Sequence, residues 1–146
     1  MTHIVETLRE DHQRMAALIQ RILQQTNGAT QRRREFARAL ARELSAHAAF
    51  KEEVFYPALR ESDEVTERIG TAVAELDVLE GSAARLQVLE PASADFTAVL
   101  GELATMLRRH AERDEEAIFP VALHTLDRLD AEEMSERHDA LARAQA

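Results

Sequence analysis

The chain has no cysteine, no tryptophan and one tyrosine among 146 residues, and only 4 glycines and 3 prolines. Without thiols there can be no disulfide, zinc–thiolate site or iron–sulfur cluster, so any metal must be held by imidazole and carboxylate. The same absence leaves the redox compartment open. Scarce glycine and proline, with 45% hydrophobic residues rich in Ala and Leu, predict helix throughout. Basic residues are outnumbered: 18 Lys and Arg against 27 Asp and Glu give a formal charge of −9. That balance argues against nucleic acid as a partner, because phosphate is repelled across most of the surface. No stretch nears the roughly 20 apolar residues of a membrane span, and MTHIVETLREDHQ places charge where a signal peptide has its apolar core. The expectation is one domain over residues 1–146, cytoplasmic, with no membrane partner and enough chain to bury a core. No nucleophile motif, Gly-rich phosphate loop or cleft of paired carboxylates is legible, so nothing marks an enzyme; peroxidase or oxidase chemistry would require a bound metal.

What is present is a repeat. His47-Ala-Ala-Phe-Lys-Glu-Glu-Val-Phe-Tyr-Pro57 and His110-Ala-Glu-Arg-Asp-Glu-Glu-Ala-Ile-Phe-Pro120 lie 63 positions apart. Each carries a histidine, adjacent glutamates, an apolar pair and a proline at matching offsets. The interval is a whole number of heptads, so both histidines share one helical phase and stand at one level of a bundle, as in buried metal sites. Four residues after the histidine, where a ligand carboxylate is wanted, the copies differ: Lys51 in the first, Asp114 in the second.

Caps and periodicity predict four long helices and a short fifth. The first runs from a Thr2 cap to about Gly28. The second opens at Thr30 and continues to about Glu61, bent by Pro57. The third is capped by Ser62 or Asp63 and stops before Pro91. The fourth begins at Ser93 or Asp95 and meets Pro120. Asp130 with Glu133 resembles a capping box for a helix ending near Ala144. Short connections make successive helices antiparallel, giving an all-α, up-down-up-down four-helix bundle with a short C-terminal fifth helix. The fifth, with Leu129, Met134 and Leu141 on one side, either caps the bundle or forms a homodimer.

The inward stripes identify the polar layer. The fourth helix presents Phe96, Leu100, Leu103, Leu107, His110, Asp114, Ala117 and Val121. The second presents Ala37, Leu40, Leu44, His47, Lys51, Val54 and Ala58, and the first Val5, Leu8, His12, Met15 and Ile19. On the third, Ile69, Val73, Leu76, Ala83 and Leu86 face inward, with Leu79 and Glu80 competing for one step. Three helices thus interrupt an apolar seam with histidine. Such a layer must be satisfied by partners, water or a metal, because unpaired buried polar groups cost several kcal/mol.

With these residues the chain resembles the hemerythrin-like family, the HHE cation-binding domain, over residues 3 to 124. That family's pattern is an Asp-His pair on the first helix, H-x-x-x-E on the second and fourth, and a histidine on the third. Asp11-His12, His47 to Pro57 and His110 to Pro120 match it. The resemblance implies a four-helix bundle around a non-haem di-iron centre bridged by two carboxylates, used for binding or sensing oxygen or nitric oxide, iron handling or peroxide chemistry. Two positions depart: Lys51 replaces a bridging glutamate, and Leu76, after Glu75, stands where the third helix has its histidine. What carries over is His12, His47, His110 and Asp114. Asp77 and Glu80 are weaker ligand candidates, while Glu52, Glu53, Glu115 and Glu116 point off the bundle axis.

Lys51 weighs heavily here, since an ammonium about 5 Å from a divalent ion is repelled by several kcal/mol. Three outcomes stay open: a metal-free bundle in which a Lys51–Asp114 ion pair replaces the metal, as an interaction module; one divalent ion (Fe, Zn or Mn) on His12, His47, His110 and Asp114; or a di-iron centre completed by Asp77 or Glu80. His3, His124 and His138 are expected at the surface, and Tyr56 in a packing role.

Overall fold

A computed structural model describes residues 3–25, 29–59 and 63–145, apart from the side chain of Glu64. The expected cap Thr2 and the residues Gly28, Glu61 and Ser62 lie outside the described residues. The elements are α1 (Ile4–Gln24), α2 (Thr30–Phe50), a first π turn (Lys51–Phe55), α3 (Tyr56–Leu59), α4 (Asp63–Val88), α5 (Ala94–Arg113), a second π turn (Asp114–Ile118), α6 (Phe119–Thr125) and α7 (Arg128–Gln145). Among the described residues there is no strand. The packing of α1 on α2 and α5, and of α4 on α2 and α5, closes a four-membered ring, the expected up-down-up-down bundle. No described helix is long and apolar enough to cross a membrane.

Two starts differ from expectation. His3 is half-buried rather than exposed, and its Nδ1 caps α1 by accepting from the Val5 N–H at 3.1 Å. In α7 the box sits earlier than Asp130 and Glu133: the Asp130 N–H donates to Asp127 Oδ1 at 2.9 Å, and the Asp127 N–H to Asp130 Oδ2 at 3.1 Å. Ser93 caps α5 as predicted, accepting from the Phe96 N–H at 3.1 Å.

Both repeats contain a π turn that ends two residues before their proline. The Tyr56 N–H donates to the Lys51 carbonyl and the Phe119 N–H to the Asp114 carbonyl, each five residues back. Proline has no N–H, and its ring crowds the carbonyl four residues earlier; a widened turn relieves that crowding. The extra residue advances the helical phase by about 100°, so the inward stripe shifts by one. Ala58, Ala117 and Val121, expected to face the core, are only half-buried. Phe55, Tyr56, Leu59, Ile118, Phe119 and Ala122 are buried instead.

The remaining stripe positions hold, with Leu79 rather than Glu80 taking the disputed step and Val73 half-buried. Met15, Ile19, Leu40, Leu44, Leu100 and Leu103 fill one half of the core, and the aromatic side chains that follow the π turns fill the other. Between them lies the polar layer. Helix α7 lies on α2 and α1, so it covers the bundle; Ala131, Met134 and His138 are its buried residues, while Leu129 is exposed.

Candidate metal centre

His12 from α1, His47 from α2 and His110 from α5 converge as their common phase predicts. Their ring centroids are 4.9 Å (His12–His47), 5.8 Å (His12–His110) and 6.4 Å (His47–His110) apart. One nitrogen from each lies within 4.8 Å of the others, and all three residues are buried. His12 Nε2 and His47 Nε2 are buried without a hydrogen-bond partner. His12 Nε2 comes no nearer than 3.5 Å to Asp114 Oδ2, too remote to satisfy it. Burial first, and the Lys51 ammonium second, lower the pKa of all three imidazoles. They are therefore neutral at ordinary pH, the form in which histidine binds metal.

Lys51 and Asp114, four residues past their histidines, are fully buried and paired. Lys51 Nζ donates to Asp114 Oδ2 and also to His110 Nε2, the latter at 2.9 Å. Asp114 Oδ1 accepts from the Tyr56 hydroxyl at 3.1 Å. Tyr56 therefore does more than pack, and the π turn is what turns it inward. Burial, then the Asp114 charge, raises the phenol's pKa, so the hydroxyl stays a donor. Burial lowers the Lys51 pKa while Asp114 pulls it back up.

Each of the repeat histidines also meets a carboxylate from the preceding long helix. His47 Nδ1 donates to Asp11 Oδ2 at 3.0 Å, which assigns the proton to Nδ1 and leaves Nε2 bare towards the centre. His110 Nδ1 faces Glu75 Oε1 at 3.4 Å without a hydrogen bond between them, and Glu75 Oε2 accepts from Arg113 at 2.6 Å. Asp11 immediately precedes His12, and Glu75 immediately precedes Leu76. The residue before each seam position thus reaches the neighbouring helix. That parallel was the available signal for Glu75, whose role the stripe reading missed.

His138 corrects a second expectation. It is buried, and its Nε2 donates to Asp11 Oδ2 at 2.7 Å. Its signal was present: Met134, His138 and Leu141 follow helical steps of four and three. Burial opposes the charge on Asp11, but the bonds from His138 and His47 outweigh it and hold its pKa well below the usual carboxylate range.

The remaining candidates lie elsewhere. Asp77 is exposed, and Asp77 and Glu80 group with Glu52 rather than with the histidines. Glu115 is exposed and pairs with Arg9 at 2.5 Å, and Glu53, Glu116 and His124 are exposed. The donors do not fit a di-metal centre: an ammonium stands where a bridging carboxylate belongs, Leu76 is fully buried at the missing histidine, and Asp77 and Glu80 do not replace them. They do fit a single ion, on the orphaned Nε2 atoms of His12 and His47 and the third ring beside them.

A family model described as the hemerythrin HHE cation binding domain matches residues 3–122. No curated protein matches the chain. A solved structure with the same fold is the crystal structure of a hemerythrin HHE cation binding domain-containing protein from Mycobacterium kansasii. It has a TM-score of 0.81 and 22% identity, over 99% of this chain and 88% of that one.

Proposed function

This chain belongs to the hemerythrin HHE cation-binding domain family, and we propose that it holds one divalent metal ion, of the iron, zinc or manganese class, instead of a di-metal centre. His12, His47 and His110 would be the imidazole ligands, with Asp114 as the carboxylate once Lys51 is displaced from it. The observation that carries this reading is the pair of buried, unpartnered Nε2 atoms on His12 and His47 beside the third imidazole. Each such atom costs about 1–3 kcal/mol when left unsatisfied, and a shared cation removes that cost. Such an ion would supply Lewis-acid or redox chemistry towards a small ligand such as oxygen, nitric oxide or peroxide. The protein's own contribution is neutral imidazoles, a His47 tautomer set by Asp11, and a buried layer with Phe119 and Tyr56 beside it.

A second reading rests on Lys51. Its ammonium already donates to Asp114 and His110, and at about 5 Å it repels a divalent ion by about 7 kcal/mol at an effective dielectric near 20. On this reading the ion pair replaces the metal, and the fold serves interactions. Titration with Co²⁺, followed by visible absorption, separates the two. The single-ion reading expects a saturable one-to-one spectrum in the wild type, its loss in His110→Ala, and equal or tighter binding in Lys51→Ala. A wild type that binds nothing while Lys51→Ala binds one ion would establish the lysine as the occupant.

A further inference from the structure

Helix α7 lies outside the residues matched by the family model, which ends at 122, yet it delivers a side chain to the polar layer. Its attachment is otherwise modest. The buried apolar residues of α7 are Ala131 and Met134, with Leu141 partly buried, and much of the rest is charged. Against that background His138 stands out. Its ring meets the Phe50 ring edge-on at 5.1 Å, and its Nε2 donates at 2.7 Å to Asp11 Oδ2.

The same oxygen accepts from His47 Nδ1 at 3.0 Å, while Asp11 Oδ1 accepts from Arg14. The Asp11 carboxylate is therefore held by donors from three directions: α1 itself, α2 and α7. A carboxylate oxygen with two donors on its lone pairs has one orientation that satisfies both. Remove the α7 donor and the carboxylate is free to turn towards Arg14, whose side chain is half exposed. His47 then loses the acceptor that keeps its proton on Nδ1 and its Nε2 bare.

We propose that His138 is a positioning residue for the metal site: by fixing Asp11 it selects the tautomer and aim of His47, so that the docking of α7 and the affinity of the histidine cluster for a divalent ion are coupled. Part of this rests on the single-ion reading above; the claim about the tautomer does not. Partners of this kind, one shell out from a ligand, typically change metal affinity by about 10- to 100-fold. Coupling of binding free energies is reciprocal, so an ion on His47 also strengthens the docking of α7.

The test reads the His47 imidazole by ¹⁵N–¹H NMR in metal-free protein, together with Zn²⁺ affinity by competition with a chelator. The variants are His138→Phe, which retains a ring against Phe50 but no donor, and His138→Gln, whose amide nitrogen lies near the position of Nε2. Wild type is expected to show one tautomer, protonated at Nδ1. His138→Phe should give a mixture of tautomers and Zn²⁺ binding weaker by about 10- to 100-fold, and His138→Gln should restore most of both. A mixture in wild type, or an unmixed Nδ1–H tautomer in His138→Phe, overturns the proposal. Should His138→Phe detach α7, His138→Gln decides: a folded Gln variant with a mixed His47 signal also overturns it. If wild type binds no Zn²⁺, the single-ion reading fails on its own, and the tautomer readout still settles the role of His138.

Discussion

The two repeats, His47 to Pro57 and His110 to Pro120, are built alike, and the positions where they differ carry the character of the site. Each sets a neutral, buried histidine in the core, places a carboxylate of the preceding long helix beside its Nδ1, and widens into a π turn ahead of its proline. At the fourth position after the histidine, one copy has Lys51 and the other Asp114; at the ninth, one has Tyr56 and the other Phe119. Those differences are complementary. The amine and the hydroxyl of the first copy both bond to the carboxylate of the second. Phe119 instead stacks on His12 at 6.1 Å and lies under Arg9 at 5.7 Å. Two like carboxylates would make the frame symmetric; here it is asymmetric, with a single carboxylate already engaged by the other repeat.

What the copies share is most exposed to acid. Burial lowers the pKa of His47, His110 and the facing His12 from 6.5. The unfolded chain then binds more protons than the native one below that value, so this stability is fully present above about pH 6.5 and is lost as pH falls. Metal-free protein should lose about 4 kcal/mol between about pH 6 and 5 if all three stay neutral in the fold, close to the limiting slope of about 1.4 kcal/mol per proton per pH unit. Urea unfolding across that range checks it. His138 has the opposite sign: its bond to Asp11 raises its pKa, so its contribution is present below about pH 6.5 and disappears as pH rises through the folded value.

What the copies do not share is tested by making them alike. Lys51→Ala leaves Asp114 buried with Tyr56 as its remaining close donor and should destabilise metal-free protein by about 3–5 kcal/mol, measured by chemical denaturation. Lys51→Glu restores the carboxylate pair; it should also destabilise the metal-free form while binding iron far more tightly than wild type in a chelator competition. Tyr56→Phe, which copies Phe119 into the first repeat, removes one hydrogen bond to a buried carboxylate and should cost about 1.5–3 kcal/mol by thermal or urea unfolding. The smallest effect belongs to the glutamates one position further on. Glu115→Ala removes an exposed pair with Arg9 and should cost under about 1 kcal/mol, less at high salt.

The shared phase of the histidines was legible because their spacing is a whole number of heptads and the helices run straight up to them. The Lys51–Asp114 pair was legible for the same reason, since equal offsets from two facing histidines bring side chains together. Beyond that point the heptad count fails. It assumes an α-helical period, and each π turn adds a residue that turns Tyr56, Ile118 and Phe119 inward. The proline in each repeat hinted at a disturbance but not at its direction. His138 was lost for a different reason: its place near the end of the chain reads as exposure, although it lies one helical step from both Met134 and Leu141. Asp11 was read as part of a motif with His12, whereas its carboxylate serves His47 and His138 on two other helices. Sequence spacing describes one helix at a time, and these contacts exist only between helices.

The account turns on how many ions this asymmetric frame holds. Elemental analysis of protein expressed in iron-supplemented medium, purified without chelator and normalised to chain concentration, measures that number. One metal ion per chain is the predicted result. Two ions per chain in the wild type would contradict it, because a second ion requires the carboxylate and histidine that Lys51 and Leu76 have replaced. No ion in the wild type would contradict it too, leaving the lysine as the permanent occupant of the layer.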